Sequence, residues 1–115
     1  MRILGFSKRW QKLSNIEFTT FRFPRKDRDW EAGEKVQIVF KPRSKEREEW
    51  GIARINDKEF MRVRDITEYE AVWDGFNSAF DMWLWLKRTY GQEIGMNSEL
   101  NKLTLRWISH KEGKI

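Results

Sequence analysis

Hydrophobic and polar positions follow two different periods along the chain. Up to about residue 64, and again from residue 101, they alternate in twos; between these stretches they recur at helical spacing. RILGFS, residues 2–7, reads as a short first strand, followed by a basic connector, KRWQKLSN. In the next strand Thr19, Phe21 and Phe23 share one face, and Phe18, Thr20 and Arg22 share the other. The first face reads as core. The second mixes an aromatic ring, a hydroxyl and a guanidinium, which suits a rim or cleft. Pro24 ends the ladder by removing a donor.

Gly33 marks a polar turn, EAGEK, before VQIVF, a β-branched run suited to a central strand. After the charged loop KPRSKEREE, strand character resumes from Trp50 to Ile55, and Asn56-Asp57 supplies turn chemistry. FMRVR, residues 60–64, alternates Met61 and Val63 with Arg62 and Arg64 as a half-buried strand would. Thr67 and Glu70 then form a capping box, Ile66 and Ala71 a hydrophobic staple across it, and Gly75 a stop, which predicts a helix over 68–74. Ser78 with Asp81 and Gly91 bracket a second helix. The apolar run Met82 to Leu86 belongs to it rather than to a strand, because Phe80, Trp83, Leu84 and Lys87 stand at helical spacing. NKLTLRWI closes the chain with alternating Leu103, Leu105 and Trp107.

Strands, two consecutive helices and a closing strand make an α+β pattern: a curled or barrel-like sheet of about five to six strands with the helices at one end. No GxGxxG or GxxxxGK[ST] motif argues for a doubly wound nucleotide fold. Residues 1–115 read as one domain, since there is no repeat and no linker composition.

Composition narrows the chemistry. Seven tryptophans and eight phenylalanines give a short chain enough buried area to fold alone, despite 36% charged residues. The Lys, Arg and Glu richness also suits a thermophile. Without cysteine there are no disulfides, thiolate nucleophiles or thiolate metal sites, and the single histidine, His110, reads as a solvated tail residue. Neither metal nor cofactor is expected. The start, MRILGFSKRW, lacks a signal-peptide pattern and no apolar run could span a bilayer, so a cytoplasmic protein is the expectation, as monomer or weak homodimer.

Charge is unevenly spread. Residues 1–47 carry 13 Lys and Arg against 6 acids, whereas residues 48–115 carry 10 against 12. A basic amino-terminal half points to a polyanion, although a merely solvated basic surface has the same composition. The candidate phosphate contacts are Arg22, Arg25, Lys26, Arg28, Lys41 and Arg43, with Lys45 and Arg47 beside them and Lys8, Arg9 and Lys12 extending the track. The bland alternative is that Arg22 pairs with Asp74 and the loop cations are solvated.

FTTFRF, VQIVFKP, WGIARI, DITEYEAVWDGFNSAFDMWLWLKRTYG and NKLTLRW together resemble the ASCH domain family over about residues 3–108. The most specific pieces are Thr20-Phe-Arg22 and Ile66 to Phe76. The resemblance implies a PUA-like mixed β-barrel with a central cleft that holds RNA or a modified base, lined here by Thr20, Arg22 and Asp74. One branch of that family hydrolyses the acetyl amide of N4-acetylcytidine, with a lysine three residues before a threonine and a carboxylate before the inter-helix turn. Thr20 matches the threonine and Asp74 stands for the carboxylate, one methylene shorter, but Glu17 occupies the lysine position. The expectation is therefore an RNA- or nucleotide-binding module without catalysis. The alternatives are a small amidohydrolase using Thr20 and Asp74, and a protein-interaction module anchored by Trp10, Trp30 or Trp50.

Overall fold

The computed structural model describes residues 1–111. Its strands are β1 (Arg2–Phe6), β2 (Glu17–Arg22), β3 (Lys35–Phe40), β4 (Glu48–Arg62) and β5 (Glu99–His110), and its helices are α1 (Glu68–Trp73) and α2 (Ala79–Tyr90). The strands form one five-stranded sheet in the order β1-β3-β4-β5-β2. β1 runs parallel to β3 and every other pairing is antiparallel, so the α+β reading holds with a mixed sheet. The sheet does not close: β1 and β2 lie at its two edges.

The 15-residue β4 is the element that departs most from the sequence pattern. Asn56-Asp57 does not end a strand. β5 pairs with β4 from Gly51↔His110 to Arg62↔Glu99, and the polar dipeptide falls at a register shift between Ile55 and Asp57. A bulge absorbs an extra polar residue and sharpens the local twist while the ladder continues on both sides. Val63 and Arg64, expected in the strand, lie in a short 3-10 turn, Val63–Asp65.

Both helices begin and end at the expected signals. Thr67 and Glu70 form the reciprocal capping box of α1, and the Ser78 side chain accepts from the Asp81 N–H at the start of α2. Gly75 and Gly91 follow with φ of 112° and 61°. The residues whose helical spacing predicted α2 do not form its buried face. Met82 and Leu86 are buried, while Phe80 and Leu84 are exposed. The sheet lies on the Met82 side, where Leu86 and Phe21 share one cluster.

Buried side chains fall into two clusters. The first fills the curl of the sheet with Leu4, Phe18, Ile38, Trp50, Leu103 and Leu105 among others. The second seats the helices on the far ends of β2, β4 and β5 through Phe21, Ala71, Met82, Leu86 and Leu100. β2 divides them, with Phe18 in one and Phe21 in the other. The Phe18 face is therefore not a rim at that position: Phe18 is fully buried. Trp30 and Trp50 are buried too, which removes them as partner anchors; Trp73 and Tyr69 are the exposed aromatics of α1.

Candidate nucleotide pocket at the open seam

Where the sheet fails to close, a side chain bridges the gap. Arg22 at the end of β2 donates from Nη2 to the Gly5 carbonyl of β1 at 2.7 Å, and from Nε to Thr20 Oγ1 at 3.0 Å. Its guanidinium also stands 4.8 Å from the centroid of the Phe6 ring. Desolvation pulls the Arg22 pKa down, against the attraction of Tyr90 and Asp74. The group nonetheless stays cationic, as arginine does in proteins.

Beside this bridge lies a cavity of about 130 Å³, lined from β1 by Gly5 and Phe6, from β2 by Thr20, Phe21 and Arg22, and from α2 by Met82, Trp85, Leu86, Thr89 and Tyr90. That volume is close to the roughly 150 Å³ known to admit a single benzene ring. Trp10 packs edge-on against Trp85 at 5.2 Å and Phe76 at 5.1 Å, so three rings form one wall. Gly75 makes that wall possible. A Cβ there would come within 3.0 Å of the Trp10 ring, and its φ of 112° already disfavours other residues.

The polar floor is a buried ion pair. Lys12 lies in a 3-10 turn, Gln11–Ser14, held down by fully buried Leu13, whose carbonyl accepts from Trp107 Nε1 at 3.0 Å. Lys12 Nζ reaches Asp74 Oδ1 at 3.1 Å, and Thr19 Oγ1 donates to the same oxygen at 2.8 Å. Asp74 is the C-cap of α1. A carboxylate is electrostatically unfavourable at a helix C-terminus, so lysine and threonine together compensate that position. Both ionic side chains are nearly inaccessible, with 5% and 6% of their surface exposed. Burial pushes both toward neutrality. Desolvation lowers the Lys12 pKa against the pull of Asp74, and raises that of Asp74 against the pull of Lys12 and the bond from Thr19.

Thr20, Arg22 and Asp74 thus line one cavity, and Arg22 does not pair with Asp74 as the bland alternative had it. Asp74 bonds Thr19 and Lys12, while Arg22 bonds Thr20 and Gly5. Glu17 is exposed at the start of β2 and lines no part of the cavity. Lys12, placed by sequence on an outer phosphate track, is an interior group instead, because its partner comes from 62 residues away. Trp85 and Thr89 were not singled out from the sequence, although Met82, Trp85, Leu86 and Thr89 carry the i, i+3, i+4, i+7 signature of one helix face.

The remaining cations separate into two groups. Arg25, Lys41, Arg43 and Arg47 join Arg22 around a larger groove of about 620 Å³ on the other side of the bridge. Arg28 instead reaches Glu34, which Arg2 already binds through two guanidinium nitrogens. Arg9 pairs with Glu48 and lies over Phe40, Lys8 lies over Trp10, and Lys26 is exposed and lines neither cavity. Asp29 fastens the basic loop by accepting from the Arg25 and Trp30 backbone N–H groups, Asn101 Nδ2 and Lys58 Nζ.

Among the described residues no group of three or more His, Asp or Glu side chains could hold a metal ion, and no helix is long and apolar enough to cross a membrane. No protein-family model, curated protein or solved structure matches the chain.

Proposed function

We propose that this chain is a nucleotide-binding module, receiving one unstacked base of an RNA or a free nucleotide in the seam pocket. One observation carries the reading: a ring-sized cavity in which Trp10, Phe76 and Trp85 meet the donors and acceptors of Lys12, Thr20, Arg22 and Asp74. Aromatic faces hold a base by stacking, worth about 1–3 kcal/mol per base. A few fixed polar groups in an otherwise apolar hollow then choose its edge. The resemblance of FTTFRF and of Ile66 to Phe76 to the ASCH family, with its PUA-like barrel, points the same way. Tryptophan fluorescence is a natural reporter, since Trp10 and Trp85 line the cavity. Nucleosides should quench it saturably, and Thr89→Trp, which puts an indole among the lining residues, should abolish the response. Quenching that never saturates, or that survives Thr89→Trp, refutes the reading.

A second reading, hydrolysis of an acylated base such as N4-acetylcytidine, gains from the position of Lys12. Glu17 supplies no lysine, but Lys12 contacts Asp74 in the cavity that Thr20 lines. In this reading the Lys12 amine, which lines the cavity with Thr20 and whose pKa burial lowers, takes the proton of the Thr20 hydroxyl as that oxygen attacks the acyl carbon. The C–N bond then breaks, the proton passes to the leaving amine, and water releases the acid from the threonine ester. Incubation with N4-acetylcytidine separates the two readings. A pure binder returns it unchanged, whereas a hydrolase yields cytidine and acetate and loses that activity in Thr20→Val.

A further inference from the structure

The pocket and the larger groove are neighbours that share Gly5, Phe6, Ser7 and Arg22. Their chemistry differs. The groove is lined by five cations, Arg22, Arg25, Lys41, Arg43 and Arg47, and by no carboxylate. Three of the five have acidic partners: Arg25 with Asp27 at 2.9 Å, Lys41 with Glu46 at 2.8 Å and Arg47 with Glu49 at 3.5 Å. Those acids lie outside the lining, and their pairs are exposed. Exposed pairs contribute little and are readily exchanged for another anion. Arg43, in the exposed loop after β3, has its guanidinium available to the same groove. The backbone builds the site as well. Lys41 takes a left-handed conformation at φ 44° and donates its N–H to the Phe6 carbonyl, which fixes the loop beside β1.

We infer that this groove is the track for the sugar-phosphate backbone of a single-stranded polynucleotide whose flipped base occupies the adjoining pocket. The inference rests on the base-pocket reading and extends it from a nucleotide to a strand. A free nucleotide would use the pocket and Arg22 but would leave most of a groove of about 620 Å³ empty. Several phosphates in sequence would fill it and meet the other four cations. A duplex is disfavoured because a pocket sized for one ring accepts a base only after it has left the stack. Ribose and deoxyribose strands present the same phosphates, so the experiment compares them.

Fluorescence anisotropy with a labelled hexaribonucleotide, its deoxy counterpart and a duplex of the same sequence tests this, with a nucleoside 5′-monophosphate as competitor. The single strand should bind at least about tenfold more tightly than the monophosphate. The slope of log affinity against log salt should be about −2 to −3, as three to four released counterions dictate for a single strand. Arg43→Glu with Arg47→Glu, both at exposed loop positions, should weaken strand binding more than about tenfold and flatten the slope, yet leave monophosphate binding in place. A strand that binds no better than the monophosphate, or a duplex that binds as well as the strand, overturns the inference while the pocket reading stands. Salt-dependent strand binding that ignores Thr89→Trp overturns the inference and the pocket reading together, because no base then enters the pocket.

Discussion

Two aromatic interiors lie on either side of β2, and they are built for opposite purposes. The cluster inside the curl of the sheet is built of apolar and aromatic side chains: Phe18 meets Phe6 edge to face and Trp107 at a tilt, and Phe40 stacks on Trp50. The seam between β1 and β2 also has rings, but they surround a buried lysine, a buried aspartate and a bridging arginine. A closed sheet would have filled the seam with ladder hydrogen bonds. Left open, it exposes edge groups that the protein satisfies with side chains, as when Arg22 donates to the Gly5 carbonyl. The difference teaches that stability is concentrated in the curl, and that the seam spends part of it on holding charge out of water.

The comparison can be broken at several points. Phe18→Ala empties the fully buried centre of the dry cluster and should cost about 3–5 kcal/mol in urea unfolding, leaving the pocket residues in place. Lys12→Met in the seam should approach that cost, about 3 kcal/mol at neutral pH, because it strands the Asp74 carboxylate. Two further outcomes distinguish this loss from a packing loss. It should shrink as the pH falls and Asp74, whose pKa burial already raises, takes up a proton. Most of it should return when Asp74→Leu is added, since an apolar pair replaces a desolvated ionic one. The double variant should fold and bind no nucleoside.

Thr19→Val is nearly isosteric and removes one hydrogen bond to a buried carboxylate, so about 1.5–3 kcal/mol is expected by the same assay. Thr20→Val, facing Arg22 instead, should cost less stability and more ligand affinity. The smallest effect concerns acid. Hydrogen bonds from Arg2 hold Glu34 below its ordinary value of 4.5, against desolvation. The pKa is lower when folded, so this contribution is present above that ordinary value and is lost as the pH falls through the folded one. Arg2→Ala should flatten the acid limb of the stability profile below about pH 4.5 by lowering the neutral plateau toward the acid values.

How much of this was legible depends on how local each feature is. The capping box at Thr67 and Glu70, the Ser78 cap and the glycine stops are written within a few residues, and the helices begin and end where those signals stand. The continuity of β4 across Asn56-Asp57 was not legible, because a bulge and a turn use the same polar residues and only pairing with β5 distinguishes them. Alternation placed Thr19 and Thr20 on opposite faces, but which of them meets Asp74 depends on how α1 packs against β2. Lys12 was the hardest case. In the sequence it is one more cation in KRWQKLSN. Only burial beside Leu13 and the approach of the α1 terminus make it a pocket group.

The central claim is that the wet seam, not the dry curl, takes the ligand, and the tryptophans report on both. In a proton–nitrogen spectrum titrated with a nucleoside monophosphate, the indole signals of Trp10 and Trp85 should shift saturably. That of Trp50, fully buried in the curl and absent from the pocket lining, should stay where it is. Signals that shift together, or a titration that moves neither Trp10 nor Trp85, would contradict the account.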